Sequence, residues 1–440
     1  MDQGDKKLLL TLLSGAHSLN HSLFLVLPFF LFQVASEFET TTETIGLIAA
    51  VVGFIYGFGS LVGGPLSDRL GEVKTITLSL SVSGLSTLIF LIAHDIPSFS
   101  IAFLLIGIGA GLYHPTANSI ISKMYQTNMA EAMGLHGTGG NIGYMFAPLA
   151  IAAIGNLWGW RYPWILFGLL SILVSILILK TSKTLSNKNT VKTKIKDVIK
   201  TPGIKTILIY NMMVGLYFKG VDFMFPSFIA FRFSPIFQEE IVSALKGIAV
   251  FGLLGTGILG QWLGGKTSDK FGSRKALITT SVFVSLSLFL LPTVPEAFVS
   301  LFLFVPLYGF FFYAHQPALN SLAGLITPNE MRGSMYGILF FFSFGLGSAS
   351  TAIATSIAQR YDLNMAFYAL TLFSLIALLL SLFIPSNKTN SKQERETPKR
   401  RLEETKKDAC QPRFWSPTNI GKANHVPYLI KSQRTRRPSQ

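Results

Sequence analysis

His17, Asn20 and His21 share one face of an apolar run near the N-terminus, because residues three and four apart lie together on an α-helix. In apolar surroundings such side chains are costly. They point to proton exchange, to hydrogen bonding with a polar ligand, or to bonds between helices. Imidazole titrates nearest neutrality, which makes His17, His21 and His114 candidates for taking up and releasing protons. At an offset of 202 positions Lys219 stands where His17 does, and Asp222 where Asn20 does. Lys219 with Asp222 reads as an ion pair fixing helix packing, or as a pair that a proton or an anion would break. A second set repeats at the same offset: Tyr113-His114-Pro115 with Asn118 and Ser119, and His315-Gln316-Pro317 with Asn320 and Ser321. Proline frees carbonyls one turn back, and a nearby histidine or asparagine can occupy them or face a cavity. For any one of these histidines alone, a bond between helices is as good a reading as a ligand contact. His17 and His21 have a metal-compatible i, i+4 spacing, but no acid lies near them in the run. No metal site and no cofactor is expected.

The elements that carry these residues are long and apolar. The chain has 440 residues, 50% hydrophobic and 13% charged, against about 25% charged in soluble domains. A helix needs roughly 20 apolar residues to cross the hydrocarbon. Twelve runs qualify, at about 8–32, 44–63, 75–93, 98–122, 132–154, 161–180, 204–231, 241–263, 276–294, 297–322, 334–358 and 363–384. The first follows Lys6 and Lys7 as a signal peptide's core would, but it is too long, lacks a small-residue cleavage site, and reads as a retained span. His17 then lies roughly 14 Å from the inner boundary, near mid-bilayer. With both termini cytoplasmic, all of the 37 basic residues fall inside except Arg161, Arg232, Lys246 and Arg360, with Lys219 inside a span. That is the positive-inside pattern of a multi-pass plasma-membrane protein. The net charge of +15 therefore suits a lipid surface rather than a nucleic acid.

Residues 1–180 form a first six-helix bundle and 204–384 a second, with a basic cytoplasmic linker at 181–203. From 385 to 440 the chain turns polar, basic and proline-bearing, and reads as a disordered cytoplasmic tail. Cys410, the single cysteine, excludes an intrachain disulfide.

A twelve-residue phrase ties the halves together. Gly63-Gly-Pro-Leu-Ser-Asp-Arg-Leu-Gly-Glu-Val-Lys74 returns as Gly264-Gly-Lys-Thr-Ser-Asp-Lys-Phe-Gly-Ser-Arg-Lys275. Asp68 and Asp269 fall just past the C-terminal, negative ends of spans two and eight, where a carboxylate is disfavoured unless a cation or another helix's N-terminus faces it. Gly64, Gly71, Gly265 and Gly272 permit close backbone approach and a tight reversal. Duplicated helical units of this kind are the architecture of secondary transporters.

Here the chain resembles the major facilitator superfamily, whose loop between spans two and three has the form Gly-x-x-x-Asp-Arg/Lys-x-Gly followed by basic residues. The resemblance covers about residues 8–384. It implies an all-α membrane protein of twelve transmembrane helices in two pseudo-symmetric six-helix bundles. It also implies that spans one, four, seven and ten line a central pathway, and that Asp68 and Asp269 lock the inward-closed state across the halves. Arg69, Lys270 and Arg274 complete the gating set, while Glu72 departs from the pattern, which has a base there. His17-x-x-Asn20, the aromatic-His-Pro of span four and Gly139-Gly140-Asn141-x-Gly143 of span five resemble the fosmidomycin-resistance branch. His21, Thr116 and Ser119 stand where that branch carries charged groups.

The expected function is proton-coupled export of a small organic molecule or drug by a monomer that rocks its two halves about a mid-membrane site. His17, Asn20, His21, His114, Asn118, Asn141, Lys219, Asp222, His315, Gln316 and Asn320 form the expected pathway. The first rival is a proton symporter or uniporter of an organic anion or metabolite, with Lys219 as the anchor. The second is a non-transporting membrane sensor. No enzyme is expected: the chain has no phosphate-binding glycine loop with lysine, no metal-spaced cysteines, and no nucleophile paired with a base.

Overall fold

A computed structural model describes residues 2–181 and 195–385. The basic residues of the expected linker up to Lys194, and the polar tail, lie outside the described residues. Twelve helices among the described residues are long and apolar enough to cross a membrane. They are α1 (Gln3–Phe29), α2 (Thr44–Leu70), α3 (Glu72–Leu91), α4 (Ile96–Met124), α5 (Met129–Trp158), α6 (Arg161–Thr181), α7 (Ile204–Phe233), α8 (Ala244–Phe271), α9 (Ser273–Thr293), α10 (Ala297–Ile326), α11 (Asn329–Arg360) and α12 (Leu363–Ser381). Their packing repeats. In the first six, α1 lies on α5, α2 on α4, and α3 on α6; in the second six, α7 lies on α11, α8 on α10, and α9 on α12. The two sixes meet through the matched pairs α2 with α11 and α5 with α8. This is an all-α, twelve-span, pseudo-symmetric fold.

The repeated phrase is not a loop. Helix α2 runs on through Asp68 to Leu70, and α3 begins at Glu72; α8 runs through Asp269 to Phe271, and α9 begins at Ser273. One glycine forms each reversal, Gly71 at φ 90° and Gly272 at φ 94°. Their amides still close the last helical turn, Gly71 N–H to Ser67 O at 3.0 Å and Gly272 N–H to Ser268 O at 2.8 Å. Both aspartates therefore sit within the last helical turn rather than beyond it. A side chain at either glycine would be held in a backbone region that L-residues rarely adopt.

The prolines of α4 and α10 behave differently although they match in sequence. Helix α4 is interrupted at Leu112, three residues before Pro115, whereas α10 continues unbroken through Pro317. Gly109 and Gly111 precede the break in α4, while Phe311 and Tyr313 occupy the matching positions of α10. The carbonyls released in α4 are taken by three other helices. Ser79 of α3 donates to Gly109 O at 2.7 Å, Asn20 of α1 to Ala110 O at 3.2 Å, and Ser60 of α2 to Gly111 O at 3.2 Å. Side-chain donors on neighbouring helices thus make the break tolerable inside a bilayer.

At the end away from the aspartate turns, Glu37 binds Arg161 at 2.6 Å and accepts from Trp160 Nε1 at 2.6 Å. Arg161 also lies 4.2 Å from the Trp160 ring centroid and donates to Phe90 O and Ala93 O. The Arg161 hydrogen bond, helped by Trp160, holds the Glu37 carboxyl below its ordinary range. A depressed carboxyl contributes stability that is present above its unfolded pKa and disappears as pH falls through its folded one. Glu37→Gln is therefore expected to lower the thermal midpoint slightly at pH 7. The gap to wild type should close below about pH 4; a gap constant across a pH series of melting curves would refute the assignment.

Candidate functional site

A cavity of about 530 Å³ lies between the two sixes. Its wall includes His17, His21 and Phe24 of α1, Tyr56 of α2, His114 and Asn118 of α4, and His136, Asn141 and Tyr144 of α5. From the second six come Asn211, Phe218 and Lys219 of α7, Gln261 of α8, and His315, Gln316 and Asn320 of α10, with Phe340 and Phe344 of α11. Nine of the eleven expected pathway residues thus converge. Asn20 stands apart: 3% exposed, it donates to Ala110 O and accepts from Tyr56 Oη at 3.3 Å, so its amide is committed to joining α1, α2 and α4. Asp222 is absent from the cavity wall.

Four imidazoles cluster on the first six. The His17 ring stacks on His136 with centroids 4.5 Å apart, and lies 4.8 Å from both His21 and His114. Its Nδ1 lies 3.0 Å from His136 O, which can only accept, so His17 carries its proton on Nδ1 and presents a lone pair at Nε2. His21 Nε2 is 3.0 Å from that lone pair and must donate to it. Gly140 makes this arrangement possible, since any Cβ there would collide with the His17 ring. The Gly139-Gly140-Asn141 stretch is where α5 closes on α1, with Ser18 donating to Gly139 O. His136 was missed by sequence reasoning, although it is four residues from Gly140 on the same helical face, a spacing that pointed at α1.

The second six supplies the charge. Lys219 Nζ is 4.0 Å from Asp222 Oδ2, at the outer limit of an ion pair, and the Asp222 side chain is 53% exposed. The ammonium instead lies over two aromatic faces, 5.1 Å from the Phe218 centroid and 5.5 Å from that of Phe344. The Lys219–Asp222 ion pair is thus a loose one. Gln261 donates to Gln316 Oε1 at 2.6 Å, joining α8 to α10, and Tyr336 donates to the Asn320 carbonyl at 2.8 Å. His315 is turned onto Phe312 O of its own helix.

The turn end is shut. Asp68, 6% exposed, accepts from Gly333 N–H at 3.0 Å and Ser334 N–H at 2.7 Å, in the first α-helical turn of α11. Asp269 accepts from Ala130 N–H at 3.1 Å and Glu131 N–H at 2.8 Å, at the start of α5. Each aspartate meets the positive N-terminal end of a helix in the other six, which offsets the negative ends of α2 and α8 behind it. Arg332, also buried, donates to Ser122 O of α4 at 2.6 Å, and Lys266 pairs with Glu131 at 3.7 Å. Glu72 turns to α4 instead, accepting from Lys123 and from Ser119 at 3.1 Å. Arg69 and Lys270 are exposed, and the half-buried Arg274 donates to Leu382 O. The cavity wall reaches the other way, to Ala50 and Gly53 early in α2 and to Ser348 and Thr351 late in α11.

The Major Facilitator Superfamily profile matches residues 12–352 and 248–433. The fosmidomycin resistance protein of Escherichia coli (strain K12) is 22% identical over 382 residues, covering 85% of this chain and 93% of that protein. The multidrug efflux pump Tap of Mycolicibacterium fortuitum is 24% identical over 357 residues, covering 74% and 83%. The crystal structure of the human organic anion transporter MFSD10 (TETRAN) superposes with a TM-score of 0.73 at 15% identity, over 87% of this chain and all of that one. With most of its length matched by the family profile, and with the twelve paired helices that this architecture requires, the chain belongs to the Major Facilitator Superfamily.

Proposed function

We propose that this protein is a secondary transporter of a small organic anion or anionic metabolite, working by alternating access. The observation that carries the reading is Lys219: a cation at mid-span, on the wall of a cavity, with its one ion-pair acid among the described residues 4.0 Å away. A half-buried cation in a membrane span without a close acid favours an anionic ligand. The aromatic faces of Phe218 and Phe344 keep the ammonium in place, and Asn118, Asn141 and Gln316 offer hydrogen bonds to the rest of the ligand. The same residues, with His315 and Asn320, form the proposed pathway, and the Asp68 and Asp269 contacts form the proposed gate.

Proton-coupled export is the second reading. Four imidazoles beside the lysine favour proton coupling, and the names of two relatives, a resistance protein and an efflux pump, favour export. Placement in the fosmidomycin-resistance branch rests on the His17-x-x-Asn20 and span-five patterns together with that first relative. With the turns and both termini on the cytoplasmic side of the plasma membrane, the shut turn end corresponds to an outward-facing monomer. The division into 1–180 and 204–384 follows the matched helix pairs.

Reconstitution into liposomes tests both readings. Saturable uptake of at least one member of an organic-anion panel, accelerated by an imposed pH gradient, is expected. Uptake confined to neutral or cationic compounds would overturn the anion reading, and the gradient polarity that drives net flux separates export from import.

A further inference from the structure

The wall of the cavity on the first six brings three imidazoles close together. One nitrogen each of His17, His21 and His114 lies within 4.8 Å of those of the other two. A late first-row metal ion bound at about 2.0–2.1 Å in tetrahedral geometry holds its nitrogen ligands about 3.3 Å apart. His17 Nε2 and His21 Nε2 are already 3.0 Å apart. His114 is buried and its Nε2 has no hydrogen-bond partner among the described residues, so turning that nitrogen toward the other two breaks no hydrogen bond there. The expectation of no metal site rested on the absence of an acid near His17 and His21 in their span. The fold supplies a third imidazole from α4, 93 positions away from His21 in the chain.

We propose that His17, His21 and His114 form a three-imidazole site for a divalent late first-row metal ion, such as Zn²⁺ or Co²⁺. The contact outside the ligand set fits this role. His17 Nδ1–H donates to the His136 carbonyl, and a backbone acceptor on the far nitrogen of a metal-binding imidazole fixes the ring and directs the other lone pair at the ion. On binding, the His21 Nε2 proton moves to Nδ1 of the same ring, so the site takes up the ion without net proton loss. Three protein ligands leave a fourth position open, as in sites that exchange ligands. The three imidazoles line the same cavity as Lys219, which comes from the second six. Resting on the organic-anion reading above, the ligand class of the joint site is an anion that coordinates the ion with one donor atom and meets Lys219 with its charge. The ion and the lysine are both positive, so the anion and the metal are expected to strengthen each other's binding.

Cobalt titration of the purified full-length protein tests the site. The expected result is the intense visible ligand-field absorption of a four-coordinate Co²⁺, displaced by Zn²⁺. His17→Gln, His21→Gln and His114→Gln should each weaken Co²⁺ binding by at least about 100-fold, and His94→Gln, at an exposed position, should leave it unchanged. Binding that survives His114→Gln, or a weak octahedral spectrum, would overturn the proposal. Should the variants fail to fold, X-ray absorption of the zinc-loaded wild type decides: three imidazoles and one light atom are expected, and any other donor set refutes the site. The titration uses metal alone, so failure of organic-anion uptake does not affect it, and absence of metal leaves the uptake assay readable. A change in the cobalt spectrum on adding a transported anion is expected only if both readings hold.

Discussion

Gly333→Val is expected to reduce transport at least about tenfold while leaving insertion and helix content intact. Helices α2 and α11 meet backbone to backbone at the shut end. A Cβ on Gly333 would lie 2.7 Å from Gly64 O and collide with Ser67 and Asp68, and one on Gly337 would lie 2.6 Å from Ser60 O. Neither partner is the end of a flexible side chain, so the helices must separate. Overpacking of this kind costs about 1–3 kcal/mol, and the upper value displaces the closed state by roughly 100-fold relative to its alternative. Separation also breaks the bonds from Gly333 and Ser334 to Asp68, leaving a carboxylate at the negative end of α2 with no compensating dipole. The measurement is initial-rate uptake, with hydrogen exchange at the start of α11 reporting whether that end has opened. Gly46→Val, on the partner helix α2, is the control, because a Cβ there meets nothing within 4 Å. Equal rates for the two variants would remove the α2–α11 contact from the mechanism.

That contact was half legible in the sequence. The electrostatic argument about Asp68 and Asp269 required a cation or a helix N-terminus, and the fold supplies N-termini, from α11 and α5. Which helices would do so depends on how the two sixes dock, and local pattern carries no information about docking. The helical continuation of the phrase through Leu70 and Phe271 was hidden for a different reason. Glycine and proline read as loop signals, but in a bundle they also mark where helices touch, and Gly64 and Gly264 do the latter. The twelve spans were readable because hydropathy depends on the bilayer alone. The break in α4 was not, since Pro115 and Pro317 look alike until the donors Asn20, Ser60 and Ser79 are known to sit beside one of them. Of the imidazole cluster, the His17–His21 pair could be read from helical spacing, whereas the approach of His114 and His136 is a tertiary event.

Lys219→Met is expected to remove the stabilisation that a transported anion gives the purified protein and to slow its uptake about 10- to 100-fold. The substitution keeps a long apolar stem against Phe218 and Phe344 and deletes only the charge, so folding is spared. A hydrogen bond to a charged group contributes about 1.5–3 kcal/mol, which sets that range. Lys219→Arg should retain uptake within a few-fold, because charge rather than amine chemistry is required. Asp222→Asn separates this account from a switchable ion pair. At 4.0 Å, with Asp222 half exposed, the carboxylate attracts the ammonium weakly and competes with the ligand. Neutralising it should therefore tighten anion binding modestly and preserve transport, whereas a pair whose breaking drives the cycle would stall without its acid. Apparent KM and maximal rate for the three variants distinguish these outcomes: an unchanged KM in Lys219→Met would show that the anion is held elsewhere, and abolished uptake in Asp222→Asn would restore the pair as the coupling device.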